Sequence, residues 1–192
     1  MLTDGQMESN ASPSILSVSR DAVQMPLGAA QPIFDYWQSI CGDQFAPAWG
    51  SDFRLDELDI KLLPEISVVD VVNGGETYKY RYWGTRHARV KGFEMTGKFI
   101  DDGPSELVKS FGYHQFGEIL RERRPLTFVY RVEYPGKIHS DHFTLRVPIS
   151  DDGNNVTKIV SYQDLHTNRK DWEVLFMNFT RCLESNSPGS FF

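Results

Sequence analysis

Residues 67–85 read SVVDVVNGGETYKYRYWGT, and the fold turns on how this stretch is read. Two runs rich in valine and tyrosine flank Asn73-Gly74-Gly75. Asn and Gly accept the positive φ that tight turns need, so the stretch is a β-hairpin. In its second arm Tyr78, Tyr80 and Tyr82 alternate with Lys79 and Arg81, which points the rings to one face and the charges to the other. One face is therefore expected to be covered and the other wet, as in an antiparallel sheet with helices on a single side.

Upstream, residues 1–30 are rich in Ser, Gly, Gln and Asn with scattered hydrophobes and read as a flexible leader. Residues 31–66 read as a helical flank. Pro32 suits a first helical position, and Ile33, Phe34, Trp37, Ile40 and Cys41 recur at helical spacing until Gly42. Residues 54–63 place Leu55, Leu58 and Leu62 on a second helical stripe that Pro64 ends.

Downstream, Thr85 is the expected N-cap of a short helix closed by Gly92. Pro104 opens a longer helix to about Arg124, whose apolar stripe shifts side at Gly112, so a bend or break is expected there. Three strands follow. Residues 126–134 put Leu126, Phe128, Tyr130 and Val132 on one face, and residues 142–149 point Phe143, Leu145, Val147 and Ile149 inward. Residues 156–165 complete the meander. Residues 67–166 thus form the core unit, and residues 167–192 carry a C-terminal amphipathic helix and tail. In that helix Trp172, Leu175, Phe176, Phe179, Cys182 and Leu183 follow helical spacing closely.

The chain has 192 residues, enough for one domain with extensions. Its 20 Lys and Arg against 26 Asp and Glu give a net charge of -6, which argues against a general nucleic-acid binder. Aromatic residues make up 13% of the chain and sit mostly in the periodic segments, which favours a packed core over disorder. Cys41 and Cys182 are far apart and neither belongs to a CxxC pair, so a reducing compartment is expected rather than a disulfide or zinc scaffold. No run approaches the length of a membrane helix, and Asp4 and Glu8 stand where a signal peptide carries positive charge. A cytoplasmic location is the expectation.

Two strands, helices, then three antiparallel strands is the chain order of a PAS domain. The motifs extend the likeness: Leu63-Pro64 before the first strand, Tyr80-Arg81-Tyr82 with Gly84-Thr85, then Gly92, Thr96-Gly97-Lys98 and Asp101. Together they resemble a bacterial group of small single-domain PAS-like proteins over roughly residues 34–166. The resemblance implies an α+β fold: a five-stranded antiparallel sheet with helices on one face enclosing a pocket, plus flanking N- and C-terminal helices. It also implies a sensory or regulatory role and supplies no catalytic set. No kinase, cyclase or DNA-binding segment follows, so a signal is expected to leave through a surface or partner.

Tyr80, Tyr82, Phe93, Tyr113, His114, Phe128 and Tyr130 are the residues expected to border a small-molecule cavity, a few polar groups among rings being the mark of such a site. The blander reading is that these rings fill the core. His87 and His114 are the histidines nearest this interior; hydrogen-bonded or solvent-facing roles are favoured for both over haem ligation. His139-Ser140-Asp141-His142 gathers acid, base and hydroxyl, yet strand neighbours point to opposite faces, so no three ligands converge and no metal is expected. Arg121 to Arg124 read as a solvated helix end. In the C-terminal helix, Trp172, Leu175, Phe179 and Cys182 form a stripe too short for an autonomous coiled coil, so it packs on its own sheet or across a homodimer.

The favoured function is a non-enzymatic sensory or regulatory module that binds a small molecule and signals through a partner or dimer surface. A protein-interaction adaptor with a filled core is the alternative, and an enzyme in a cavity-forming fold the third choice. Neither ligand nor cofactor is named by the sequence.

Overall fold

The computed structural model describes residues 14–22, 27–104, 106–133 and 140–165. In chain order these form β1 (Ser14–Ala22), α1 (Gln31–Cys41), β2 (Ile66–Val72), β3 (Thr77–Trp83), α2 (Thr85–Lys91), α3 (Glu106–Glu122), β4 (Leu126–Glu133), β5 (Ser140–Ile149) and β6 (Lys158–Gln163). Every strand pairing is antiparallel, in the order β1-β4-β5-β6-β2-β3. Strands β2 to β6 are the five expected from sequence, and the fold is α+β.

The β2–β3 hairpin forms as read. Asn73, Gly74 and Gly75 adopt φ of 49, 70 and 106°, the conformations that favour Asn and Gly. Strand β1 is a correction: it lies within the stretch expected to be a leader and pairs with β4 from Ser14↔Glu133 to Ala22↔Leu126. An edge strand completes its hydrogen bonds on a neighbour and needs no strong pattern of its own. Two helical expectations also change. Residues 54–63 form no α-helix but two short 3-10 turns, Leu55–Glu57 and Leu63–Glu65. Between them Leu58 is extended, and the Asp59 carboxylate takes the Lys61 N–H, a local bond that competes with the helix ladder. Helix α3 is continuous through Gly112, so the chain does not break there; Gly112 is buried, and a Cβ on it would lie 2.6 Å from the Ile100 side chain.

Both faces of the sheet are covered, where one was expected to be wet. The back carries Ile66, Val68, Leu145, Val147, Ile149, Val160 and Tyr162 against Ile33 and Trp37 of α1 and Phe53. Trp37 Nε1 donates to the Pro148 carbonyl over 2.7 Å and ties α1 to β5. The front carries Val69, Tyr78, Tyr80, Trp83, Leu126, Phe128 and Ile159 against Phe116 and Ile119 of α3, with Met95 and Ile100. Leu145, Val147 and Ile149 therefore do not share a layer with Phe128. The pairs Leu126↔Arg146 and Phe128↔Thr144 set the parity, because directly opposed residues point to the same side.

Residues Trp172, Leu175, Phe179 and Cys182, and the histidine at position 139, lie outside the described residues.

The Leu63-Pro64 and Gly84-Thr85 motifs meet in space. The Gly84 N–H donates to the Ile66 carbonyl over 2.9 Å, and a Cβ on Gly84 would fall 2.3 Å from the Pro64 oxygen and 2.6 Å from that of Leu63. Backbone cannot yield as a side-chain tip does. Gly84→Ala is expected to cost about 1 to 3 kcal/mol in urea denaturation. Gly117→Ala, at an open position of α3, is expected to add about 0.5 to 1 kcal/mol. Equal effects from the two substitutions would refute this account.

Candidate functional site

The two faces of the central strands differ in chemistry. On the back, Leu145 pairs with Tyr162 and Val147 with Val160, all apolar and buried. On the front, the alternate residues pair as Thr144↔Gln163 and Arg146↔Ser161, and β2 adds Ser67 beside Ser161. Thr144, Ser161 and Ser67 are nonetheless 1%, 2% and 5% exposed. A buried sheet face with polar residues at its centre costs free energy unless each group finds a partner.

Helices supply much of the partnership. The Arg146 guanidinium donates through Nε to Gln115 Oε1 of α3 over 2.9 Å and through Nη1 to Ser161 Oγ over 2.6 Å. It lies 4.4 Å from the centroid of the Phe116 ring. From α2, Lys91 Nζ donates to Gln163 Oε1 over 2.8 Å and sits 4.7 Å from the centre of Trp83. Gln115 is fully buried. Sheet, α2 and α3 thus send amides, hydroxyls and two cations into one region walled by Tyr80, Trp83, Phe116 and Phe128.

His87 belongs to the same region. Its Nε2 lies 3.0 Å from the Glu65 carbonyl and its ring 4.6 Å from Trp83. Burial, with Lys91 as a lesser cause, holds its pKa well below the ordinary imidazole value. The neutral ring donates from Nε2, which leaves Nδ1 as an acceptor. Among the described residues, His87 Nδ1 and Thr144 Oγ1 are buried without a hydrogen-bond partner. Burial, and secondarily Arg146, lowers the Lys91 ammonium to about 7. Burial raises the Tyr80 hydroxyl to about 12.

The residues singled out from sequence are only partly brought together. Tyr80 and Phe128 are buried in the front core, with Phe93 packed on it and stacked on Trp83 at 5.8 Å. Tyr113 stands at the edge, its ring 5.6 Å from Tyr78 and its hydroxyl donating to Asp101 Oδ2 over 2.8 Å. His114 is half-buried on α3. Tyr130 occupies a β4 position opposite His142 and Val18. Tyr82 is a correction. Val68 pairs with Tyr82 and Val69 with Tyr80, so Arg81 is an extra residue and the alternation slips. Tyr82 packs on the back core and donates its hydroxyl to Leu63 O over 3.0 Å.

Thr144, Arg146, Ser161, Gln163, Gln115 and Lys91 were not singled out from sequence. Polar residues alternating with Leu145 and Val147 look like a solvent face, and only the helices above reveal that they are enclosed.

No family model matches the chain, and no curated protein matches it. One solved structure that is similar is described as an RNA-binding Light-Oxygen-Voltage receptor, with 14% sequence identity and a TM-score of 0.46. The match covers 89% of this chain and 44% of that one, so the chain spans less than half of the receptor's length.

Neutral burial of His87 has a consequence for stability. Unfolding frees the imidazole to take a proton near its ordinary value of about 6.5, so below that pH the unfolded chain binds more protons than the folded one. Stability present above about 6.5 is lost as the pH falls, by about 1.4 kcal/mol per unit from this group. Thermal denaturation between pH 7.5 and about 5.5 should show a steeper loss for the native chain than for His87→Gln. Parallel curves would rule out the buried neutral imidazole.

Proposed function

We propose that this chain is a PAS-like sensory module that binds a small molecule between the front of its sheet and helices α2 and α3. One observation carries the reading: a deeply buried sheet face is polar at its centre, at Ser67, Thr144 and Ser161, while the reverse of β5 and β6 carries Leu145, Val147, Val160 and Tyr162 there. A core selected for stability alone gains by burying valine and leucine, as the back does. The two buried groups without partners, His87 Nδ1 and Thr144 Oγ1, are an acceptor and a hydroxyl that a bound molecule satisfies. Tyr80, Phe93 and Phe128 supply apolar walls. The reading is of a binding protein, with no catalytic set assigned. Its signal leaves through the surface of residues 167–192, where Trp172, Leu175, Phe179 and Cys182 meet a partner or a second copy.

The adaptor reading with a filled core draws on the ring contacts of the front, where Tyr78 lies 4.8 Å from Phe116 and Tyr80 4.8 Å from Trp83. Two measurements separate them. Native mass spectrometry of freshly purified protein, with thermal shift across a metabolite panel, should reveal retained or added ligand. Thr144→Val removes a buried hydroxyl at nearly constant shape. In the absence of ligand it should stabilise the fold by about 1 to 3 kcal/mol, and it should weaken ligand retention. A bare mass and no thermal shift together would favour the filled core.

A further inference from the structure

Past Tyr162 the last strand runs out of sheet. Its ladder with β2 ends at Ile66↔Tyr162 and its ladder with β5 at Thr144↔Gln163, after which the Asp164 N–H reaches the Phe143 carbonyl over 3.0 Å. Leu165 is fully buried, and residues 166–192 continue from it. Here helix α2 takes over from the strands. The Arg86 guanidinium donates to the Leu165 carbonyl twice, through Nε over 3.2 Å and through Nη2 over 3.1 Å. A planar fork closing on one oxygen fixes direction as well as distance, which a single flexible ammonium does not.

The same helix is fastened to the segment ahead of β2. The Gly84 N–H donates to the Ile66 carbonyl over 2.9 Å and His87 Nε2 lies 3.0 Å from the Glu65 carbonyl, while the Glu65 carboxylate takes the Tyr162 hydroxyl over 2.7 Å. Successive helix residues point about 100° apart, so the adjacent side chains of Arg86 and His87 hold different segments from one turn of α2. Resting on the small-molecule reading above, in which a ligand meets His87 Nδ1, we infer that Arg86 is the positioning residue that couples the front site to residues 166–192. Helix α2 shifts with what lies against His87, and the Leu165 carbonyl shifts with α2. The coupling is reciprocal: a partner that holds residues 167–192 also steadies the ligand side of α2.

Deuterium exchange on the full chain reads this joint without any ligand. Arg86→Gln should raise exchange about tenfold across residues 166–183, and Arg86→Lys by less, while residues 31–41 of α1, whose local openings leave the joint intact, should change little. His87→Ala alters the ligand side of α2 and should raise exchange over residues 166–183 in the native background, yet add nothing there once Arg86→Gln is present. Unchanged exchange over residues 166–183 in Arg86→Gln overturns the inference, as does full additivity of the two substitutions. An equal rise over residues 31–41 marks a plain loss of stability and overturns it too. If His87→Ala does not fold, the graded response to Arg86→Lys and Arg86→Gln decides. Failure of the joint while native mass spectrometry finds a retained molecule leaves the ligand-binding reading standing. Exchange as expected with a bare mass and no thermal shift fells that reading and leaves the tie between α2 and residues 166–183.

Discussion

The close approach of Gly84 to the carbonyls of Leu63 and Pro64 fixes where the front helices begin. Its N–H closes on the Ile66 oxygen, so the end of β3 is fastened to the segment that leads into β2. Helix α2 starts at the next residue and has no freedom to swing. One turn on, His87 meets the Glu65 carbonyl from the same segment, and one further turn delivers Lys91 to Gln163. A β-carbon at position 84 would push α2 from this anchor, and every polar contact made from that helix depends on it. The two small motifs that suggest the family likeness are therefore two halves of one contact.

The two faces of the sheet differ in what covers them. The back, with Ile66, Val68, Val147, Ile149 and Val160 against Ile33, Trp37 and Phe53, is a conventional apolar core. Each such side chain is worth about 1.5 to 3 kcal/mol on burial. The front tolerates Arg146, Lys91, Gln115 and Ser161 because that reservoir lies on the reverse of the same strands. Helix α1 matters here although it lies far from the front polar group: it covers the face that makes the other one tolerable.

Much of this architecture was legible in the chain. The Asn73-Gly74-Gly75 turn, the five core strands and helices α1 to α3 announce themselves by period and by punctuation. What stayed hidden has identifiable physical causes. Strand β1 owes its existence to β4 rather than to its own pattern. The stripe at Leu55, Leu58 and Leu62 has helical spacing, but the Asp59 carboxylate accepts the Lys61 N–H and divides it. Phe143, Leu145, Val147 and Ile149 do share a face, and period alone could not say which of two covered layers it faced. Thr144 and Arg146 look like wet positions because alternation records the side a residue points to, not what lies above it. His87 stood out as a titratable group near a glycine-bounded helix, whereas Lys91 and Gln115 resemble any polar residue on a helix.

The extra residue at Arg81 gives β3 two allegiances. Before it, the tyrosines serve the layer beneath α3; after it, Tyr82 belongs to the layer of α1 while Trp83 turns back to the front. A single ribbon thereby acts as a rivet through both halves of the molecule. Deleting that extra residue would leave Tyr80, Tyr82 and Trp83 opposite the same partners across an unbroken ladder, so a one-residue change of length can be absorbed at this point without exchanging faces.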